Sequence, residues 1–320
     1  MALPNSIQLV EVGPREGFQF EGIGQPDKLR LEDKLSLIDQ LGQTGLRAIQ
    51  MVSFVSPKQV PQMADAETIC TRLVPRAGVR YTGIYLNDVG LHRAIATGKL
   101  AIDGKLTLTA SETFSQANQR RSAAEDRAMQ RRIAAVYAQS NIPITTATIM
   151  AAFGCNDEGR IPTATVLALA EQLHDIAAET GSSLATLILA DTMGWADPEL
   201  IRRTVATIQS RWPALRIGLH LHDTRGLAIA NAMAGLAEGV DLFETAIGGL
   251  GGCPFAGNQG AAGNICTEEV VFLCHRLGIE TGVALPKLVE CARFAQAMVG
   301  HSLPSKTINA SLEPRMPKSE

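Results

Sequence analysis

Short apolar runs alternate along this chain with longer stretches in which apolar residues recur at helical spacing. An apolar run of about four to eight residues predicts a strand, whereas a period near 3.6 residues over a longer window predicts a helix. The predicted strands cover residues 7–12, 48–52, 79–84, 105–109, 144–149, 184–190, 216–221 and 242–246. The predicted helices include residues 28–41, 64–73, 163–178, 198–210, 226–237, 267–277 and 286–299.

This order of elements favours a single α/β barrel. Strands that alternate with helices are typical of parallel βαβ units, and eight of them fit a closed (β/α)8 TIM barrel better than an open sheet. No G-x-G-x-x-G motif follows the first predicted strand, which argues against dinucleotide binding. We expect one domain over residues 1–320, with the barrel over about 5–280 and a C-terminal helical extension and tail over 281–320.

Composition limits the classes of partner. Of the 320 residues 46% are hydrophobic, which suffices for a barrel core, and the net charge of -3 gives no sign of a nucleic-acid partner. The arginine-rich stretch 120–132 also contains acids, so it indicates a solvated helix face or, alternatively, a contact with an anionic ligand tail. No apolar run reaches the roughly 18 residues that span a membrane. The six cysteines form no CxxC pair and no signal peptide is evident, which predicts reduced thiols in a cytoplasmic protein.

Polar residues follow the first predicted strand closely. Barrel enzymes carry their chemistry at the C-terminal ends of the strands, and Arg15 and Glu16 lie just beyond such an end. Gly13 and Gly17 beside them would let the backbone turn tightly. Arg15 could stabilise an oxyanion and Glu16 could bind a metal, but a surface turn with an internal ion pair explains the spacing equally well.

Two histidines end the seventh predicted strand. His220 and His222 are two residues apart, so in a strand their side chains point to the same face. Two imidazoles in this relation can share one metal ion, although a histidine packed in the core is the ordinary alternative. Asp223 points the other way and is expected to cap the next helix or to support a ligand.

Two further strand ends carry candidate groups. Asp191 ends the sixth strand, where it could be a base, a group that orients the substrate, or only a helix cap. The glycine-rich stretch 248–263 follows the eighth strand and is suited to a phosphate contact or a lid. Cys253 within it could deliver a proton or simply fill space. Asn264 closes the stretch and offers a neutral oxygen ligand.

Several blocks in this order resemble the 3-hydroxy-3-methylglutaryl-CoA lyase family. That family belongs to a superfamily of metal-dependent barrel enzymes that also includes isopropylmalate and homocitrate synthases. The resemblance covers nearly the whole chain. The blocks are VEVGPREGFQFE, SFVSPKQVPQMAD, ASETF, ADTMG, HLHDT and GGLGGCP.

The resemblance implies a role for each matching position. The catalytic residues implied are Arg15 for the enolate, Cys253 on the loop, and Asp191. The implied ligands of a divalent cation, Mg²⁺ or Mn²⁺, are Glu16, His220, His222 and Asn264. The implied substrate-binding positions are Gln19, Gln50, Thr148 and Glu11. The implied reaction is a retro-Claisen cleavage of a 3-hydroxyacyl-CoA, in which hydroxymethylglutaryl-CoA would give acetyl-CoA and acetoacetate. A homodimer and a place in leucine degradation are implied only by the same resemblance.

Three departures from the family pattern affect the expected substrate. Glu16 stands where the family has aspartate, Gln50 where it has glutamate, and Thr148 where it has tyrosine, and the loop carries extra residues around 257–258. A smaller residue at 148 and a neutral one at 50 leave open a related substrate, such as citramalyl-CoA or a longer branched 3-hydroxyglutaryl-CoA. A condensing synthase and a barrel that binds metal or acyl-CoA without turnover remain alternatives. The synthases usually have a long additional C-terminal region.

Overall fold

The strands form one curled parallel sheet and one short hairpin. The computed structural model describes residues 3–21, 29–252 and 263–312. The strands are β1 Gln8–Glu11, β2 Ala48–Ser53, β3 Arg80–Ile84, β4 Gly104–Thr109, β5 Ile144–Met150, β6 Gly154–Cys155, β7 Gly159–Arg160, β8 Thr186–Asp191, β9 Arg216–Leu221 and β10 Leu242–Thr245. The main sheet has eight strands in the order β3-β2-β1-β10-β9-β8-β5-β4, and β6 pairs with β7. All eight predicted barrel strands are therefore confirmed.

Helices lie between these strands and give the expected TIM-barrel-like fold. They are α1 Gly13–Phe20, α2 Leu31–Leu41, α3 Ala66–Arg72, α4 Asp88–Ala96, α5 Glu112–Gln119, α6 Ala123–Gln139, α7 Thr163–Ala178, α8 Pro198–Arg211, α9 Ala228–Ala237, α10 Thr267–Arg276 and α11 Leu285–Val299. Across the seam of the sheet, the amide of Ala101 donates to the carbonyl of Tyr81, 2.8 Å away. No helix in the described ranges has the length and apolar character needed to cross a membrane.

The barrel strands alternate between an apolar outer face and a polar inner face. On β4, Leu106 and Leu108 are buried in the core, whereas Lys105 and Thr107 line a cavity inside the barrel. Successive side chains of a strand point to opposite faces, so this alternation places the apolar ones in the outer core and the polar ones in the cavity. Branched apolar side chains usually fill a barrel interior. Here a cavity of about 860 Å³ extends along it instead.

The segment after β1 is a helix rather than the tight turn expected from its glycines. Pro14 stands in the first turn of α1, where its missing N–H costs no hydrogen bond. A Cβ atom added at Gly17 would lie only 3.0 Å from the Cβ of Leu250. The glycine is therefore needed for close approach of α1 to the segment after β10, and not for a turn.

Candidate active site

Most of the residues predicted to form the site line the same cavity. It extends along the barrel interior from the N-terminal ends of the strands to their C-terminal ends. The predicted residues that line it are Arg15, Glu16, Gln19, Gln50, Thr148, His220 and His222. Asn264 adjoins them because its backbone forms an antiparallel bridge with that of His222. Residues that are separate along the chain thus meet at the end of β9.

The two histidines face each other through their Nε2 atoms, which are 3.2 Å apart. His220 Nδ1 lies 2.9 Å from Glu244 Oε2. Because a carboxylate accepts and does not donate, the Nδ1–H of His220 donates to Glu244, and the Nε2 of His220 faces His222. Asp223 accepts from the amide of Ala228 at the start of α9, as expected for a helix cap.

Burial keeps His222 neutral. Its side chain is 5% exposed, and burial together with the nearby His220 lowers the pKa of His222 to about 3. Neutral imidazole is the form that binds a metal ion. His222 Nδ1 is buried and has no hydrogen-bond partner among the described residues.

These atoms have the spacing and chemistry of a cation site. Two nitrogens that are each about 2.1 Å from one ion, at a right angle, lie about 3 Å apart, close to the observed separation of the histidine Nε2 atoms. Asn264 Nδ2 donates to the carbonyl of Leu250 at 3.0 Å, and Asn264 Oδ1 is buried with no partner in the described part of the chain. An unpaired acceptor beside two imidazole rings with facing nitrogens fits a divalent cation.

Glu16 lies at the edge of this set. Its Oε1 is 3.9 Å from His220 Nε2, and it forms an ion pair with Arg15. Within the described ranges, no group of three His, Cys, Asp or Glu side chains is placed to hold a metal. The predicted ligand set therefore depends on the amide of Asn264 and on a shift of Glu16 away from Arg15.

Arg15 is oriented by two neighbours. Its Nε donates to Gln50 Oε1 at 2.5 Å, while Nη1 contacts Glu16. Burial alone would raise the pKa of Glu16, but Arg15 and His220 outweigh it and lower that pKa below its usual value. The guanidinium and the carboxylate are therefore both charged inside the barrel. Gln50 orients the guanidinium without adding a negative charge.

Thr148 and Gln19 have free acceptor atoms. Thr148 Oγ1 and Gln19 Oε1 are both buried, and neither has a hydrogen-bond partner among the residues that the structure describes. Both side chains line the cavity. Since buried polar atoms are normally paired, these two atoms are available to a ligand in the cavity.

Asp191 lies behind the cavity wall rather than in it. Its carboxylate accepts from the amides of Trp195 at 2.8 Å and Ala196 at 3.1 Å, and the side chain is 1% exposed. Burial raises the pKa of Asp191 to about 7. The cap of the next helix is Asp197, which accepts from the amide of Leu200. In this arrangement Asp191 supports the loop after β8, and its catalytic role stays a prediction.

Glu11 is also outside the cavity lining, and its predicted substrate contact stays a prediction. Its Oε1 accepts from the amides of Gly13 at 2.7 Å and Ile247 at 2.9 Å. Its Oε2 accepts from the hydroxyl of Thr267. Because both of its oxygens accept hydrogen bonds, the carboxylate of Glu11 joins the start of α1 to the segment after β10. Its observed contacts are structural ones, made beneath the site.

The buried carboxyl of Glu11 leads to a prediction about stability and pH. Burial raises the pKa of Glu11 from 4.5 to about 7, so the folded protein binds this proton more tightly than the unfolded chain. The contribution of Glu11 to stability is therefore complete below pH 4.5 and is lost as the pH rises through 7. Glutamine keeps the acceptor oxygen and can donate to Thr267. We expect the unfolding free energy of Glu11→Gln, relative to wild type, to rise by roughly 2 kcal/mol between pH 5 and pH 8.

Urea denaturation of both proteins at each pH measures this difference. Glu268, whose pKa burial also raises to about 7, is present in both proteins, so the comparison retains only its charge coupling to Glu11, the last of the causes that shift the Glu11 pKa. Parallel pH profiles for the variant and the wild type would show that Glu11 does not titrate as described.

Part of the predicted loop lies outside the described residues. Cys253 and the extra residues around 257–258 fall there. The described start of the loop does approach the site. A Cβ atom at Gly251 would be 2.8 Å from Asn264 Nδ2 and 2.9 Å from Glu16 Cβ. Only glycine at 251 lets this backbone lie so close to the predicted ligands.

Two charged residues near the histidines were not predicted from the sequence. Glu244 on β10 is in register with His220 on β9 and contacts its ring, and Lys105 Nζ is 3.3 Å from Glu244 Oε1. Burial would raise the pKa of Glu244, whereas Lys105 and His220 outweigh burial and hold it well below its usual range. A useful signal was available, since Glu244 is the one charged residue in the predicted strand 242–246.

Comparisons with known proteins show which family this chain resembles in sequence and fold. The HMGL-like family model matches residues 6–295. Hydroxymethylglutaryl-CoA lyase of Bacillus subtilis is 34% identical over 308 residues, which are 96% of this chain and 98% of that protein. (R)-citramalyl-CoA lyase of Chloroflexus aurantiacus is 36% identical over 310 residues, 94% of this chain and 93% of its own length. One solved structure of similar fold is an HMG-CoA lyase from Acinetobacter baumannii in complex with coenzyme A and 3-methylmalate. Its TM-score is 0.85 at 34% identity, and the match covers 99% of this chain and 100% of the chain of that lyase.

Proposed function

This chain belongs to the HMGL-like family, and from that premise we propose that it cleaves a carbon–carbon bond of a 3-hydroxyacyl-CoA. The first candidate substrate is hydroxymethylglutaryl-CoA, which would give acetyl-CoA and acetoacetate. The observation that carries the proposal is the pair of buried histidines, His220 and His222, with facing Nε2 atoms beside the unpaired Oδ1 of Asn264. Arg15 lines the same cavity and supplies a positive charge there.

The proposed site has a ligand set of mixed chemistry. Glu16, His220, His222 and Asn264 would hold a divalent cation, Mg²⁺ or Mn²⁺, because oxygen and imidazole nitrogen ligands suit such ions. When bound, the cation supplies Lewis acidity that lowers the pKa of the substrate hydroxyl. These four residues would hold the cation beside Arg15, which lines the same cavity.

The residues of this chain would carry out the proton and charge transfers. A base takes the proton of the 3-hydroxyl, the bond between C2 and C3 breaks, and its electron pair forms an enolate on the thioester. Arg15 would donate to the enolate oxygen, where charge appears only during reaction. Cys253 would then donate a proton to C2. Asp191 is our candidate base because the family resemblance implies that role. Its carboxylate would have to turn from the amides of Trp195 and Ala196 to reach the hydroxyl.

We propose the same assembly and location that the sequence led us to expect. The protein would act in the cytoplasm as a homodimer, with residues 1–320 forming one catalytic unit. The cysteines in the described part of the chain are free, which agrees with a reducing compartment. Sedimentation analysis of the purified protein would test the dimer directly.

A second candidate substrate is citramalyl-CoA, which would give acetyl-CoA and pyruvate. Two observations favour it. One relative of similar identity is an (R)-citramalyl-CoA lyase. In addition, Gln50 and Thr148 line the cavity of this chain where the resemblance leads one to expect a glutamate and a tyrosine. These two residues change the charge and the free volume around the acyl group.

The function is tested by assaying purified protein with Mg²⁺ against hydroxymethylglutaryl-CoA, citramalyl-CoA and longer branched 3-hydroxyglutaryl-CoA thioesters. Release of acetyl-CoA from at least one of them is the expected result. The thioester with the highest kcat/KM identifies the acyl group. If none is cleaved while calorimetry still shows Mg²⁺ binding, the chain is a non-catalytic binder and the proposed function is wrong.

A substitution at Thr148 tests how the cavity selects its acyl group. Thr148→Tyr adds a ring to the cavity wall, so it should exclude acyl groups with long substituents more than short ones. We expect kcat/KM for the longest thioester to fall at least about tenfold relative to that for the shortest substrate, equivalent to about 1.4 kcal/mol. Thr71→Tyr on the exposed side of α3 is the matched control. An unchanged ratio for Thr148→Tyr would mean that position 148 does not face the acyl group.

A further inference from the structure

A lysine lies inside the barrel at a level where apolar side chains usually pack. Lys105 points inward from β4 and lines the cavity. Its Nζ reaches Glu244 Oε1 on β10 at 3.3 Å. In the strand order, β4 and β10 are separated by β9, β8 and β5, so the two residues face each other across the barrel. The ion pair therefore spans the interior.

The other oxygen of Glu244 is used by a predicted metal ligand. Glu244 Oε2 lies 2.9 Å from His220 Nδ1, and the neighbouring strands β9 and β10 hold the two residues in register. Glu244 and His220 are both buried, with 6% exposure each. The carboxylate thus has one partner on each oxygen, and each partner comes from a different strand.

We propose that Glu244, anchored by Lys105, is a positioning residue that fixes the ring and the tautomer of His220 for a cation. The proposal rests on the proposed function, since it presupposes that His220 is a metal ligand. The carboxylate holds the proton of His220 on Nδ1 and so leaves the Nε2 lone pair facing His222. Such outer carboxylates typically orient metal-binding imidazoles and contribute about 10- to 100-fold to metal affinity.

Lys105 has a distinct part in this arrangement. Without its ammonium group, Glu244 Oε1 would lose its cationic partner, and the carboxylate could rotate about its side-chain bonds. A rotated carboxylate would no longer accept from His220 Nδ1, which now lies 2.9 Å from Glu244 Oε2. The lysine therefore acts on the metal site only through Glu244, and its removal should have a smaller effect than replacement of Glu244 itself.

The test measures the affinity of the whole chain for Mn²⁺, without substrate, by calorimetry and by electron paramagnetic resonance. For Glu244→Gln we expect the Kd to rise about 10- to 100-fold. For Lys105→Met we expect a smaller rise of about threefold to tenfold. Glu238→Gln, which removes a carboxylate bonded to Arg202 at 3.0 Å, is the matched control and should leave the Kd unchanged.

A second measurement reports the tautomer directly. Nitrogen-15 spectra of histidine-labelled, metal-free protein should show His220 with its proton on Nδ1 in the wild type. The Glu244→Gln variant should show a mixture of tautomers, because a glutamine side chain can donate as well as accept. The thermal unfolding of each metal-free variant shows that the protein measured is folded.

The outcomes separate this proposal from the function on which it rests. If the wild type binds no Mn²⁺, the metal site itself is wrong and the positioning role is overturned with it. If the wild type binds Mn²⁺ and Glu244→Gln binds it equally well with an unchanged tautomer, only the positioning role is overturned. Should Glu244→Gln fail to fold, an unchanged Kd for Lys105→Met would overturn the proposed anchor.

Discussion

Replacement of His222 with alanine should lower kcat by about 1,000-fold and remove tight binding of Mn²⁺. His222 is a buried, neutral imidazole whose Nε2 lies 3.2 Å from that of His220. If these nitrogens share a cation, loss of one removes both a ligand and the alignment of the substrate hydroxyl. A bound cation stabilises developing charge by several kcal/mol, and a factor of 1,000 corresponds to about 4 kcal/mol.

The control for this variant is a histidine on the protein surface. His275→Ala removes an exposed imidazole whose Nε2 lies 3.1 Å from the hydroxyl of Thr281, so both kcat and the Kd for Mn²⁺ should be unchanged. Steady-state kinetics and calorimetry on the two variants make the comparison. If His222→Ala retained wild-type affinity for Mn²⁺, the two histidines would be core residues and the ligand set would be wrong.

Replacement of Arg15 with lysine should lower kcat by about 100- to 1,000-fold while leaving the binding of Mn²⁺ nearly unchanged. Lysine keeps the positive charge, but it cannot both donate to Gln50 and present further N–H groups in a fixed plane. The variant therefore removes the planar guanidinium group of Arg15, whose Nε donates to Gln50 Oε1 at 2.5 Å. An interaction made only with the enolate affects kcat and kcat/KM equally.

A matched arginine on the surface provides the control for this second variant. Arg72 forms an exposed ion pair with Glu32, so Arg72→Lys should not change kcat. Fixed-time assays of acetyl-CoA release and Mn²⁺ calorimetry on both variants show whether the substitution affects catalysis, metal binding or both. A normal kcat in Arg15→Lys would exclude stabilisation of the enolate by this guanidinium. A large loss of Mn²⁺ affinity would instead mean that Arg15 acts by holding Glu16.

The strands and the histidine pair could be predicted because both depend on local patterns. Apolar runs identified all eight barrel strands, and the spacing of His220 and His222 placed both side chains on one face. The glycines after β1 were misleading, because a glycine permits a turn but also permits close packing. Only the position of Leu250 against Gly17 decides between these two uses.

Contacts between distant segments explain what the sequence could not provide. The ion pair of Lys105 and Glu244 depends on which strands lie opposite each other across the barrel. Similarly, Glu11 and Asp191 end their strands as expected, yet their carboxylates turn to backbone amides of later segments. A carboxylate at a strand end can point into a barrel or support a neighbouring loop, and the amides that decide this are not visible in a linear pattern.

The central claim is that His220 and His222 hold a cation that is needed for carbon–carbon cleavage. Its most direct test measures the stoichiometry of products that metal-stripped protein releases before and after addition of Mn²⁺. The substrate is hydroxymethylglutaryl-CoA, and citramalyl-CoA is assayed in parallel. The account predicts no acetyl-CoA without metal, and after addition of Mn²⁺ one acetyl-CoA for each acetoacetate or pyruvate. Cleavage at the same rate without metal, or release of free coenzyme A in place of acetyl-CoA, would contradict it.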